Sequence, residues 1–357
     1  MQASKRRFHI PTHVLVFLAP AVLLYTLFMV IPLINSLRLS FFELGPQNQQ
    51  SFVGLENYIR LFSDSNFAPF FWRALRNNFI FFAVHMLVQN PIGLLLAGLL
   101  AEGGRLRNFF RTIIFMPTVL SVVIIGFIWQ LILNPLWGVA EGMLDAVGLG
   151  AWFGPWLGKP ETALVTVSLI SVWQFVGIPM ILFYAALIGI PEELEEAARV
   201  DGATAWDTFW RIKFPIILPT VGIVGVLTFV GNFNAFDLIY TMKGANAGPD
   251  FSTDIMGTFF YRTFFGQQLQ LGNPTMGATV AAMMFLIILA GVLLYMILWA
   301  RRVQTYDLWN EQSYEINFLT STALFARTDC SGGHPHNLCP HCAVPCGDDP
   351  HELLQDP

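Results

Sequence analysis

The chain has 357 residues, 55% of them hydrophobic and only 12% charged. A soluble domain of ordinary composition carries about 25% charged residues, so the chain reads as a membrane protein. Its formal net charge of −5 excludes the basic surface that nucleic acid requires. All four cysteines, Cys330, Cys339, Cys342 and Cys346, lie near the C-terminus, so the apolar body is free of disulfides and cysteine content says nothing of its redox compartment.

Lys5, Arg6 and Arg7 precede an apolar run from Val14 to Leu37. That run is too long for the core of a secretory signal and lacks a small-residue cleavage site, so it reads as a first membrane helix after a short cytoplasmic N-terminus, residues 1–13. A bilayer core about 30 Å thick needs about 20 apolar residues of helix. Five more stretches qualify: Asn78–Leu100, Thr112–Leu133, Thr162–Gly189, Ile216–Tyr240 and Thr275–Ala300. Backbone groups in lipid must satisfy one another, which predicts an all-α membrane protein with six spans within residues 14–310. Pro20, Pro32, Pro91, Pro117, Pro179 and Pro219 are expected to kink or start these helices.

Basic residues set the orientation. Loops 101–111 and 191–215 hold Arg105, Arg107, Arg111, Arg199, Arg211 and Lys213. Loops 41–76, 134–162 and 241–275 hold as many in nearly three times the length. The first set, with both termini, is therefore assigned to the cytoplasm. Trp129, Trp137, Trp152, Trp156 and Trp173 lie near span ends or external loops and read as interfacial anchors.

The loop from Ile190 to Pro219, IPEELEEAARVDGATAWDTFWRIKFPIILP, is built as a hairpin. Pro191 suits a first helical turn. Glu192, Glu193, Glu195 and Glu196 follow at the positive end of the helix dipole. Gly202 ends that helix in a left-handed turn, and Thr204 with Asp207 starts a second short helix, which Pro215 is expected to stop. Leu194, Ala197 and Ala198 share a face of the first helix, where small residues allow close approach of another body.

This loop resembles the EAA motif of ATP-binding-cassette importer permeases. Glu196-Ala197-Ala198 is followed by Gly202 and then by Ile212-Lys213-Phe214-Pro215, with Phe214 in place of the usual leucine. Phe52–Tyr58, Phe71–Leu75 with Asn77-Asn78, Pro20–Phe42 and Phe236–Tyr240 resemble segments of the carbohydrate-uptake branch, which includes maltose, trehalose and glycerol-phosphate systems. The likeness runs from about residue 10 to 310.

The resemblance implies a division of labour. Glu196, Ala197, Ala198, Asp201 and Gly202 would form a coupling helix and turn seated in a groove of a cytoplasmic ATPase, with Glu196 making an ionic contact. The chain has no G-x-x-x-x-G-K-[ST] phosphate loop, so ATP with Mg would belong to two partner ATPase subunits and this chain would bind no cofactor itself. A second permease subunit making a heterodimer, an extracytoplasmic solute-binding protein and a sugar or sugar-like solute complete the implied system, in a bacterial or archaeal cytoplasmic membrane. Its solute path would run between the fourth and fifth spans. Polar residues there point to Ser171, Gln174, Thr228 and Asn232, then Asn234 and Asp237; His85, Gln89 and Asn90 of the second span read as structural. A permease for a non-sugar solute is the nearest alternative. A secondary transporter would need mid-span acids and internal repeats, and a membrane enzyme would need clustered catalytic groups; the sequence offers neither.

Residues 311–357 change character. Cys339, His341, Cys342 and Cys346 have zinc-ligand types, but one C-x-x-C pair without core-forming periodicity reads as an appended, disordered cytoplasmic tail rather than a metal site.

Overall fold

In a computed structural model of the protein, residues 12–45, 49–267 and 270–297 are described. Cys339, His341, Cys342 and Cys346 lie outside them, and the described residues all belong to the unit that ends at Ala300.

The described chain is mostly helical. Two short antiparallel hairpins, Phe42–Leu44 with Gln50–Phe52 and Gly266–Gln267 with Gln270–Leu271, are additions to the all-helical expectation. Among the described residues four helices are long and apolar enough to cross a membrane: Val16–Leu39, Ala68–Ala101, Ala205–Phe233 and Pro274–Tyr295. Two bent pairs, Arg107–Val119 with Val122–Ile132 and Pro160–Phe175 with Gly177–Ile188, bring the number to six if each is one span.

Proline chemistry explains how these helices differ from uninterrupted ones. Thr26–Val30, His85–Gln89 and Phe209–Lys213 are π-turns, each followed within two residues by a proline: Pro32, Pro91 and Pro215. In each, the residue before the proline donates its N–H to the carbonyl five residues back: Ile31 to Thr26, Asn90 to His85, Phe214 to Phe209. A proline ring crowds the carbonyl four residues back and has no N–H; widening the preceding turn relieves both problems without ending the helix. Pro215 therefore does not stop the second hairpin helix, which runs on into the fifth span.

Three expected spans are interrupted. The third turns by 94° at Leu120 and Ser121, whose backbones are extended with ψ of 146° and 130°. The fourth bends by 44° at Val176, where Pro179 has no N–H to offer the Phe175 carbonyl. Gly177 lets the two bends meet backbone to backbone, because a Cβ there would stand 2.9 Å from Phe115 Cα. The fifth helix ends at Phe233, and after Asn234–Phe236 a separate helix, Asp237–Lys243, begins. Asn234 contributes to that ending by donating its amide to the Val230 carbonyl, 2.9 Å.

Buried side chains form three clusters. Phe81, Ile125, Val167, Ile239 and Met242 join the middle of the bundle. Ala97, Met180, Phe183, Leu187 and Ile217 pack near the hairpin end. Leu61, Phe71, Met256, Phe259 and Met276 close the opposite end. There the loop before the last span is tied down: Asn77 donates to the Ser252 and Asp254 carbonyls, and Arg262 pairs with Asp254 at 2.7 Å, both buried. The first span differs from the rest, with no side chain of its apolar window buried.

Candidate functional site: an acidic hairpin and a cavity in the bundle

The hairpin is stiff by local chemistry. Its first helix is Glu192–Val200, and Asp201 caps it. Gly202 at φ +80° allows two closing bonds, from its own N–H to Arg199 O at 3.1 Å and from Ala203 N–H to Ala198 O at 2.9 Å. These are the 5→2 and 6→1 bonds of a Schellman turn. Thr204 Oγ1 then accepts from Asp207 N at 3.1 Å and starts the next helix. Lys213 Nζ lies 2.7 Å from Glu195 Oε1, which ties the second helix back to the first. Of the residues singled out in sequence, Glu196, Ala197, Asp201 and Gly202 are exposed. Ala198 is buried, so it fixes the helix to its own chain rather than facing outward. Val200 at 87% and Trp206 at 71% are the most exposed apolar side chains of the hairpin.

A cavity of about 470 Å³ lies among the second, fourth and fifth helices and the breaks beside them. Ser171, Thr228, Asn232, Asn234 and Asp237 line it, with Phe81, Phe175 and Phe236 as aromatic walls. Gln174 does not line it. Ser171, Phe175 and Ile178 form an i, i+4, i+7 stripe, and Gln174 at i+3 lies about 60° to one side. It turns instead to the break of the third span, donating from Nε2 to Leu120 O at 3.3 Å.

His85 and Gln89, read from sequence as packing residues, do line the cavity. The signal that would have found them is their spacing: Phe81, His85 and Gln89 recur every four residues along one helical face. Asn90 packs as expected, donating to Thr228 Oγ1 at 3.1 Å. Trp173 pairs edge-to-face with Trp129 at 5.5 Å, away from the cavity.

The polar groups are only partly paired. His85 Nδ1 contacts Phe81 O at 2.8 Å, and Nε2 contacts Ser171 Oγ at 3.0 Å. Asn232 Nδ2 donates to Thr228 O at 2.6 Å, and its backbone carbonyl accepts from Asn78 Nδ2 at 2.9 Å. Gln89 Oε1 and Asn232 Oδ1 are buried without a hydrogen-bond partner. A buried unpaired amide oxygen costs about 1–3 kcal/mol, and a guest offering hydroxyl donors would recover that cost. Among the described residues no cluster of three or more His, Cys, Asp or Glu stands ready for a metal.

Bent apolar helices around a half-satisfied polar cavity, with a rigid acidic hairpin at one end, define the body of a membrane permease. The profile of the family described as "Binding-protein-dependent transport system inner membrane component" matches residues 89–303, and the chain belongs to that family. It is thus the permease component of an ATP-binding-cassette transport system, in the membrane that such components occupy. The probable ABC transporter permease protein YurN of Bacillus subtilis (strain 168) is 34% identical over 267 residues, 74% of this chain and 89% of that protein. The lactose transport system permease protein LacF of Rhizobium radiobacter is 33% identical over 251 residues, 70% of this chain and 82% of that one. The fold is shared with a chain of a bacterial ABC transporter that imports the acidic polysaccharide alginate, with a TM-score of 0.69 and 24% identity over 81% of this chain and 96% of that chain.

Proposed function

We propose that this chain forms one half of the translocation path of a binding-protein-dependent importer for a sugar or sugar-like solute, driven by ATP hydrolysed on separate subunits. The observation that carries the reading is the cavity between the fourth and fifth helices, where amide oxygens of Gln89 and Asn232 are buried unpaired beside aromatic walls. Sugars suit such a lining, because hydroxyls bond to amides and C–H faces lie on rings. The name of LacF, a lactose permease by its description, agrees with it.

Coupling is assigned to the Glu192–Val200 helix. Exposed Glu196, Ala197, Asp201 and Gly202 would meet the ATPase, and buried Ala198 would hold the helix to its own chain. A lever of this kind must not flex, and the Schellman turn, the Thr204 cap and the Lys213–Glu195 bridge all resist flexing. Closure of two ATPase subunits would then bias the bundle between two arrangements. The open apolar surface of the first span supports a second permease subunit as a further partner. Both termini and the hairpin are assigned to the cytoplasm, and the opposite end to an extracytoplasmic solute-binding protein, the kind of partner seen with the alginate transporter in its periplasmic-protein complex.

The test is uptake in proteoliposomes that hold this chain with its partner permease, ATPase and binding protein. Uptake of a labelled sugar should require ATP and survive collapse of proton and sodium gradients. Asn232→Leu should lower it at least tenfold without loss of assembly. Gradient-driven uptake without ATP would overturn the reading.

A further inference from the structure

We infer that the cavity is built for an uncharged polyhydroxy solute and rejects one that carries a carboxylate, with His85 setting that polarity through Ser171. The inference rests on the solute-path reading above and sharpens it.

A carbonyl oxygen only accepts, so the 2.8 Å contact between His85 Nδ1 and Phe81 O requires the proton on Nδ1. The neutral ring then presents Nε2 as an acceptor, and the Ser171 hydroxyl 3.0 Å away must donate to it. Ser171 has one hydrogen. With that hydrogen committed to His85, only its lone pairs remain for the cavity. Asn232 adds an acceptor: one hydrogen of its Nδ2 goes to the Thr228 carbonyl, and its Oδ1 is left buried and unpaired. Thr228 also donates inward, to Val224 O at 2.8 Å. Asp237 adds a carboxylate, and no lysine or arginine is among the described residues lining the cavity. The donors that remain on these side chains are neutral amide hydrogens, from Gln89 and from the second N–H of Asn232 and of Asn234, and none of them carries a charge.

A neutral sugar answers this set, since each hydroxyl supplies a donor to Ser171 Oγ, Asn232 Oδ1 or the Asp237 carboxylate and can accept from an amide N–H in return. A carboxylate brings acceptors to acceptors and a negative charge to Asp237, with no cation in compensation. Juxtaposed like charges and unmatched acceptors disfavour the wrong ligand. Discrimination would therefore take place in the permease itself, independently of any choice made by the binding protein.

The experiment measures direct binding to the purified full chain in nanodiscs, using lactose and maltose against their carboxylate counterparts, lactobionate and maltobionate. At least one neutral sugar should bind, with its aldobionate at least tenfold weaker. His85→Leu frees the Ser171 hydroxyl to donate into the cavity and should narrow that ratio severalfold; a purely structural role for His85 would weaken both ligands alike. Asp237→Asn, at an exposed position that does not threaten folding, should also raise aldobionate binding, and more so at low salt. Equal or tighter aldobionate binding by the unaltered chain overturns the inference, as does an unchanged ratio in both variants. Binding of neither kind, with sugar uptake by the assembled importer intact, also overturns it while leaving the transport function standing. Loss of ATP-dependent sugar uptake in the assembled system strikes the proposed function instead.

Discussion

Replacing Gly202 by alanine separates the stiffness of the hairpin from its shape. Gly202 stands at φ +80° with nothing within 4 Å of an added Cβ, so the substitution meets no clash. Its cost is the left-handed backbone alone, about 1–2 kcal/mol for an L-residue. That is about a 5- to 30-fold shift in the equilibrium between the closed and the opened turn. The bonds at stake are those from Gly202 N–H and Ala203 N–H to Arg199 O and Ala198 O. Hydrogen exchange of the full chain in nanodiscs should speed up at these two amides by that factor, while amides within the Phe214–Phe233 helix stay as they were. Asparagine tolerates the left-handed region better than alanine, so Gly202→Asn should recover much of the protection. ATP hydrolysed per solute carried should rise with Gly202→Ala and fall back with Gly202→Asn. Identical exchange in all three proteins would refute the idea that this turn confers rigidity.

Other perturbations follow from the packing. Gly177→Val forces a side chain against Phe115 Cα, 2.9 Å from the added Cβ, and should cost about 1–3 kcal/mol, read as a lower unfolding temperature in detergent. Gly98→Ala is the control: its Cβ meets nothing within 4 Å, and the helix should gain about 1 kcal/mol. Asp254→Asn leaves Arg262, 5% exposed, without its anion and should cost about 3–5 kcal/mol, seen as protease cutting in the loop before the last span. Lys213→Met removes the bridge to Glu195, whose partners are 18% and 27% exposed; a loss of about 1 kcal/mol should appear as faster exchange across Glu192–Val200.

Sequence and structure part company at identifiable residues. The apolar stretches announce themselves by length and hydropathy, because a bilayer demands both. The hairpin was legible because each device in it is local: Gly202, Thr204 and Asp207 act on neighbours within five residues. The breaks at Leu120–Ser121 and Asn234–Phe236 were not, because hydropathy is blind to backbone direction; Leu120 is as apolar inside a helix as at a right-angle turn. Pro215 misled for a related reason. Proline forbids one hydrogen bond, but the chain chose between ending the helix and widening it, and the continuing fifth span made widening the better answer. Gln174 and His85 exchanged roles because partners decide them. Gln174 found the Leu120 carbonyl on the third span, whereas His85 found Ser171 across the cavity.

The interruptions that hydropathy missed are also what make the cavity. An unbroken apolar helix has no spare backbone group and no reason to leave space beside it. Here the third, fourth and fifth spans each break beside the cavity, and the breaks of the third and fourth are stapled to each other: Thr118 donates to Gln174 O at 2.9 Å while Gln174 donates to Leu120 O. The cavity lining follows those breaks, with Val122 after the first, Phe175 and Ile178 astride the second, and Asn234 to Asp237 at the third. Irregular backbone at membrane depth is tolerated only where protein or a polar cavity satisfies it. In this chain the same residues do both, so the proposed solute cavity coincides with the interrupted parts of the spans. Straightening the fourth span by Pro179→Ala would restore a donor to Phe175 O, remove the cause of the 44° bend and draw Phe175 and Ile178 out of line. It should therefore stabilise the helix while reducing solute binding, a pairing of effects that a merely structural bend could not produce.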